Sequence, residues 1–186
     1  MVPSGWVKQS LESLAEVRSG LAKGKNGLND PIAVPYLRVA NVQDGKIDLT
    51  EIKKIDVEKH KLERYSLKYG DVLMNEGGDF DKLGRGDVWL EQIKPCLHQN
   101  HVFAVRPQQE KLNSFFLAAL AASHYGKTYF LRCAKRSTNL ASINSSQIKH
   151  FPVLLPPLVE QQKIAQILST WNQAIAVTET LLENSQ

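Results

Sequence analysis

Side chains that can read nucleic acid stand in four separate polar stretches of this sequence. Arginine and lysine match guanine edges and phosphates, whereas asparagine and glutamine match adenine. Lys23, Lys25 and Asn26 fall in a stretch rich in Gly, Asn and Lys between 20 and 31. Asn75, Lys82 and Arg85 flank or occupy a glycine-punctuated stretch from 76 to 86. Gln99 and Asn100 lead into His101, and Arg132, Lys135, Arg136 and Asn139 form a late basic segment with Ser137 and Thr138. Gly77, Gly78, Gly84 and Gly86 let a backbone approach phosphate closely. Each residue alone reads more simply as part of a polar turn. Only the set points to double-stranded DNA.

The charge distribution agrees with that set. Residues 1–110 carry 16 basic and 16 acidic side chains, whereas residues 111–149 carry six basic and no acidic ones. A local excess attracts a polyanion although the whole chain is only +4. A solvated helix face would show the same excess.

Catalytic constellations are not found. The run from Gly20 to Asn26 approaches a phosphate-binding loop, but its glycine spacing is one residue short, and Asn26 stands where Ser or Thr must hold magnesium. Cys96 and His98 would face one side of a strand and His101 the other, so the three do not converge on a metal. Asp79, Asp81 and Asp87 read as turn formers. There is no nucleophile elbow, no Asp/Asn-Pro-Pro-Tyr/Phe string and no glycine-rich methyl-donor loop. A non-catalytic protein with no cofactor and no metal is expected.

These side chains need a scaffold. At 186 residues with 42% hydrophobic side chains, the chain can hold one packed domain and an appendage. The longest apolar stretch, 115–122, falls far short of the ~20 residues that span a bilayer. The start lacks a signal-peptide pattern, and Cys96 and Cys133 make no disulfide framework. A cytoplasmic protein with buried free thiols is expected.

A short strand or helical turn is expected over 6–17. Strands are expected over 34–42 and 47–55, joined by a hairpin turn at Asp44-Gly45, and over 71–75, 87–93 and 101–105. A short helix or irregular connection covers 57–65. Asn113 reads as a helix N-cap, with Leu112, Phe115, Phe116, Ala119, Leu120 and Ser123 on one face and Gly126 at the end. Further helices are expected over 127–134 and 145–150. Strands followed by helices give an α+β fold with a mixed-sheet body.

The chain closes on an apolar extended run, 151–155, stopped by Pro156-Pro157, which open a helix. Glu160 suits the positive end of that helix. Ile164, Ile167, Leu168, Trp171, Ala174, Ile175, Thr178, Leu181 and Leu182 form an apolar stripe at spacings of three and four, as in a coiled-coil seam. The stripe needs a partner, either its own domain or a second helix from another segment or subunit. The Pro-Pro break favours the second.

The string Leu155-Pro156-Pro157-Leu158-Val159-Glu160-Gln161, followed by Ile164-Ala165-Gln166-Ile167-Leu168, resembles the conserved spacer of type I restriction-modification specificity subunits. The likeness continues upstream and in order. Pro3-Ser4-Gly5-Trp6 with Leu11 is similar to the opening of that family's target recognition domains, and 35–42 (PYLRVANV) to their first strand. Gly70-Asp71-Val72-Leu73 resembles their GD-[LIV]-L strand, 99–107 (QNHVFAVRP) their N-x-x-V-F-x-V-x-P segment, and Ser142-Ile143-Asn144 their S-I-N motif.

The resemblance implies a target recognition domain over 1–150 and a conserved spacer helix over 151–186. It implies a DNA-binding specificity subunit that reads one half of a bipartite target. Ile164, Ile167, Leu168, Trp171, Ile175, Leu181 and Leu182 would form the helix interface. Partners would be modification (methyltransferase) subunits and, through them, restriction subunits, with the helix pairing with a second half. This chain has one domain and one spacer where the family usually has two of each. A stand-alone dimeric DNA-binding regulator, or a protein-interaction or inhibitor module without DNA, are the alternatives.

Overall fold

The computed structural model describes residues 3–22, 27–78, 80, 83–136 and 140–184. Its centre is an antiparallel sheet of β2 (Ala15–Ser19), β10 (Val102–Pro107) and β7 (Val72–Asn75), in the order β2-β10-β7. All four β7 residues are buried, as are Val102, Phe103, Ala104 and Val105. Both faces of these two strands are covered, which accounts for their continuous apolar runs.

Smaller sheets surround this centre. β1 (Val7–Ser10) pairs with β13 (Pro152–Leu155), and β3 (Pro31–Leu37) lies between antiparallel β6 (Lys53–Glu58) and parallel β9 (Leu97–His98). β4 (Val42–Gln43) and β5 (Lys46–Ile47) form the Asp44-Gly45 hairpin. β8 (Gly77–Gly78), β12 (Ala141–Ser142) and β11 (Lys135–Arg136) form a small sheet in the order β11-β12-β8. Helices α1 (Leu62–Tyr65), α2 (Ser114–Ala122), α3 (His124–Cys133), α4 (Ser145–Lys149) and α5 (Leu158–Asn184) complete the α+β fold.

Several expectations are corrected. The strand expected over 47–55 is split: β5 ends at Ile47, and β6 begins at Lys53 to pair with β3. No named strand forms over 87–93, where a single bridge joins Val88 to Val72 and Trp89 is buried in the core. Gly126 does not end a helix. Ser123 caps α3, and Gly126 lies in its first turn, where a Cβ would stand 2.2 Å from the Ala121 carbonyl oxygen. The buried face of α2 is Ser114, Phe116, Leu117 and Ala121, with Phe115 exposed. Asn113 caps α2 as expected, accepting from the Phe116 amide.

The central strands are locked by one ion pair. Arg106 donates from Nε to Asp71 Oδ1 and from a terminal nitrogen to Oδ2, both at 2.7 Å. Asp71 is fully buried, and its Oδ2 also accepts from the Lys68 amide at 2.9 Å. The bond to Asp71 holds the Arg106 guanidinium above its usual pKa. A bidentate charge-assisted pair fixes geometry as well as energy. Replacing Arg106 with Leu strands a buried carboxylate and should cost about 3–5 kcal/mol. Asp71→Asn should cost less, because the Arg106 side chain is 22% exposed and can reach water. Urea unfolding of both variants measures the order.

Candidate nucleic-acid interface

The strand ends away from the Asp71–Arg106 pair carry the polar stretches. β7 and β10 pair Asn75 with Val102, so Glu76 and His101 emerge side by side, and the Glu76 amide donates to the His101 carbonyl at 2.9 Å. Beyond Glu76, Gly77 and Gly78 pair with Ser142 and Ala141, and β12 pairs in turn with Lys135 and Arg136. A Cβ at Gly77 would meet the Ala141 carbonyl at 2.8 Å, so glycine permits this approach. On the other side, Leu21 donates to the His98 carbonyl at 2.8 Å and accepts from the Asn100 amide at 3.1 Å. Gly20 packs against the same strand so closely that a Cβ would stand 2.1 Å from the His98 carbonyl oxygen. Segments far apart in the chain therefore meet.

Beside the β8–β12 ladder lies an open cleft of about 520 Å³, lined by Val39, Glu76, His101, Lys135, Arg136 and Leu140 together with the β8 and β12 backbones. Lys135 and Arg136 are exposed. The Arg136 guanidinium lies 5.8 Å from the Phe80 ring centroid and donates to the Leu131 carbonyl at 2.8 Å. The Glu76 carboxylate bonds the His101 ring at Nδ1. His98, two residues before Asn100, points inward. Its Nδ1 is 2.7 Å from the Val102 carbonyl, and burial lowers its pKa to about 4, so it is neutral at physiological pH. Burial pushes the Cys96 thiol up to about 12, leaving it protonated within the core.

The residues expected to form a DNA surface divide into groups. Lys135 and Arg136 line the cleft, and Gln99 and Asn100 occupy the turn leading to His101. Arg132 is exposed on α3 outside the cleft lining. Arg85 is half-buried, with its carbonyl accepting from the Asn75 amide at 3.0 Å. Lys23, Lys25, Asn26, Lys82 and Asn139 lie outside the described residues. Asn75 is a correction: it is buried, and its amide donates to the Val42 carbonyl at 2.8 Å, bracing β4 against β7 instead of facing solvent. Glu76 and His101 enter the cleft without having been expected there. The signal available for Glu76 was its place between an apolar strand and a glycine pair.

The terminal helix is anchored to the body at its base. Gln161 is fully buried, accepts from the Asn113 amide at 2.9 Å, and donates to the Lys111 and Pro156 carbonyls at 3.0 and 2.9 Å. Glu160 accepts from Trp6 Nε1 at 3.1 Å. Ile164 and Ala165 pack on the core. Beyond them Ile167, Leu168, Trp171, Ile175, Leu181 and Leu182 are exposed, Trp171 at 66%. At 1.5 Å per residue α5 is about 40 Å long.

Residues 3–184 match the family model of the type I restriction modification DNA specificity domain. The chain belongs to this family. Within it, the chain is 31% identical over 184 residues to the "Putative type I restriction enzyme MjaX specificity subunit" of Methanocaldococcus jannaschii, covering 98% of this chain and 43% of that protein. It is 26% identical to the EcoKI specificity subunit of Escherichia coli, covering 94% of this chain and 37% of that protein. The chain thus spans about two fifths of the length of these relatives. The fold is shared with the crystal structure of the HsdS subunit from Thermoanaerobacter tengcongensis, with a TM-score of 0.64 and 19% identity over 95% of this chain and 40% of that one. The S subunit from M. genitalium matches with a TM-score of 0.57 and 13% identity over 98% of this chain and 42% of that one.

In this specificity-domain chain, Glu160 and Gln161 are where helix meets body. Gln161→Ala removes three hydrogen bonds and leaves the buried Pro156 carbonyl and the Lys111 and Asn113 backbone groups without that partner, at a cost of about 2–3 kcal/mol. Hydrogen exchange should rise in the first turns of α5 and at Lys111 to Asn113. Unchanged protection there would dissociate Gln161 from the anchoring of the helix.

Proposed function

We propose that this chain is one target-recognition unit of a type I specificity subunit. Residues 1–150 read one half of a bipartite double-stranded DNA target, and residues 151–186 form the spacer that pairs with a second such helix. The same helix docks methyltransferase subunits, and restriction subunits join through them. The chain itself is non-catalytic and cytoplasmic, and methylation and cleavage belong to those partners. Lys135, Arg136, Gln99 and Asn100, with Arg85, Arg132 and the loop residues Lys23, Lys25, Asn26, Lys82 and Asn139, supply the DNA contacts.

The observation that carries this reading is the separation of two kinds of surface. Polar segments from three parts of the chain, at Glu76, at His101 and at Lys135 and Arg136, line one cleft, with two exposed cations on its wall. Apart from Val159, the exposed large apolar residues of α5 lie beyond Ala165, and none of them lines that cleft. Cations with amide side chains suit phosphates and base edges. An apolar stripe at heptad-like spacing suits another helix. Two copies joined through α5 about a two-fold axis would read a symmetric, gapped site.

The DNA half of the proposal is tested by Arg136→Ala in the assembled methyltransferase. Binding to its target should weaken, and the slope of log affinity against log salt should fall by about 1. Unchanged affinity and slope would take Arg136 off the DNA surface. The helix half is tested by replacing Ile167 and Trp171 with Asp. Both side chains are exposed on α5, so the body should keep its melting temperature while self-association and methyltransferase docking are lost. Sedimentation and pull-down measurements that retain both would rule out this stripe as the interface.

A further inference from the structure

Among the described residues, Glu76 is an acid in a cleft whose other charged side chains are Lys135, Arg136 and the ionisable His101. A carboxylate only accepts hydrogen bonds, so phosphate oxygens are repelled from it. Its position is held from three directions. The Glu76 amide donates to the His101 carbonyl at 2.9 Å, its carbonyl accepts from the Ile143 amide at 2.8 Å, and its carboxylate bonds the His101 ring. Gly77, immediately after it, is pinned to Ser142 in the β8–β12 ladder. A side chain fixed by backbone bonds on two strands and oriented by a neighbour is preorganised, and that is what a base-reading group requires.

From this geometry we infer that Glu76 is a specificity-determining residue that accepts a hydrogen bond from an exocyclic amino group in the major groove, with His101 as its positioning residue. Cytosine N4 presents such a donor to Glu or Asp, whereas adenine N6 lies beside the N7 acceptor, which repels a carboxylate. Guanine and thymine offer O6 or O4 at that depth, and a carboxylate repels both. Lys135 and Arg136, on the same cleft wall, offset the negative charge and hold the neighbouring backbone. Glu76 thus discriminates by rejection as much as by attraction. The inference rests on the proposed DNA-reading function and adds which group reads and what it reads.

The test is selection from a randomised duplex pool by the complete complex with its methyltransferase subunits, wild type against Glu76→Gln and His101→Phe. The amide can donate as well as accept and suits adenine better than cytosine, so Glu76→Gln should lower the preference for cytosine at one position by about 5- to 150-fold. Preference elsewhere, the salt slope and the melting temperature should hold. His101→Phe should relax the same position by a smaller factor. Full preference retained at every position in Glu76→Gln would overturn the assignment, as would relaxation at a position that prefers guanine, thymine or adenine. Relaxation at all positions with a lowered melting temperature would also overturn it, making Glu76 a structural brace. A wild-type complex that selects no sequence would instead sink the DNA-reading proposal itself, so the two failures are distinguishable.

Discussion

The buried pair of Asp71 and Arg106 governs the register on which the rest of this molecule depends. It closes one end of the β7–β10 ladder, where Val72 faces Val105. At the other end Asn75 faces Val102, and Glu76 and His101 leave the sheet together. A slip of one residue would turn every β7 side chain to the opposite face and part Glu76 from His101. Two charges forming a bidentate pair in a fixed plane tolerate no such slip. The pair therefore positions the cleft from the far end of the sheet.

This gives physical meaning to two of the motifs. Gly-Asp at 70–71 turns the chain and supplies the carboxylate; Gly70 adopts φ +86°, and its amide donates to the Trp89 carbonyl at 2.9 Å. The Val-Arg-Pro end of the 99–107 segment supplies the guanidinium and ends the strand. Neither residue touches the cleft. They act through the architecture, whereas Glu76 and His101, just after Asn75 and just before Val102, line the cleft.

The sequence disclosed the α+β class, the Asp44-Gly45 hairpin, the Asn113 cap and the terminal helix, because each rests on a local signal: a turn dipeptide, a capping side chain or helical spacing. The missing strand over 87–93 was invisible for the opposite reason. Val88 and Trp89 are apolar for core burial, and burial alone does not distinguish a strand from an irregular segment. Asn75 misled in a similar way, since a polar residue at a strand end reads as exposed until its partner, the Val42 carbonyl 33 residues away, is known. Glu76 was overlooked because an isolated acid among glycines looks like a turn. Only the β7–β10 register brings His101 to it.

The anchoring of α5 through the Gln161 amide has a mechanical consequence. A long rod fixed at one end behaves as a lever, so a small rotation about its hinge becomes a large sweep at the tip. Lys111, Asn113 and Pro156, whose backbones grip that amide, thereby set the direction in which the shaft points. Subtle repacking beneath this hinge would alter the distance between whatever the body holds and whatever the tip carries, without changing a single contact at either place.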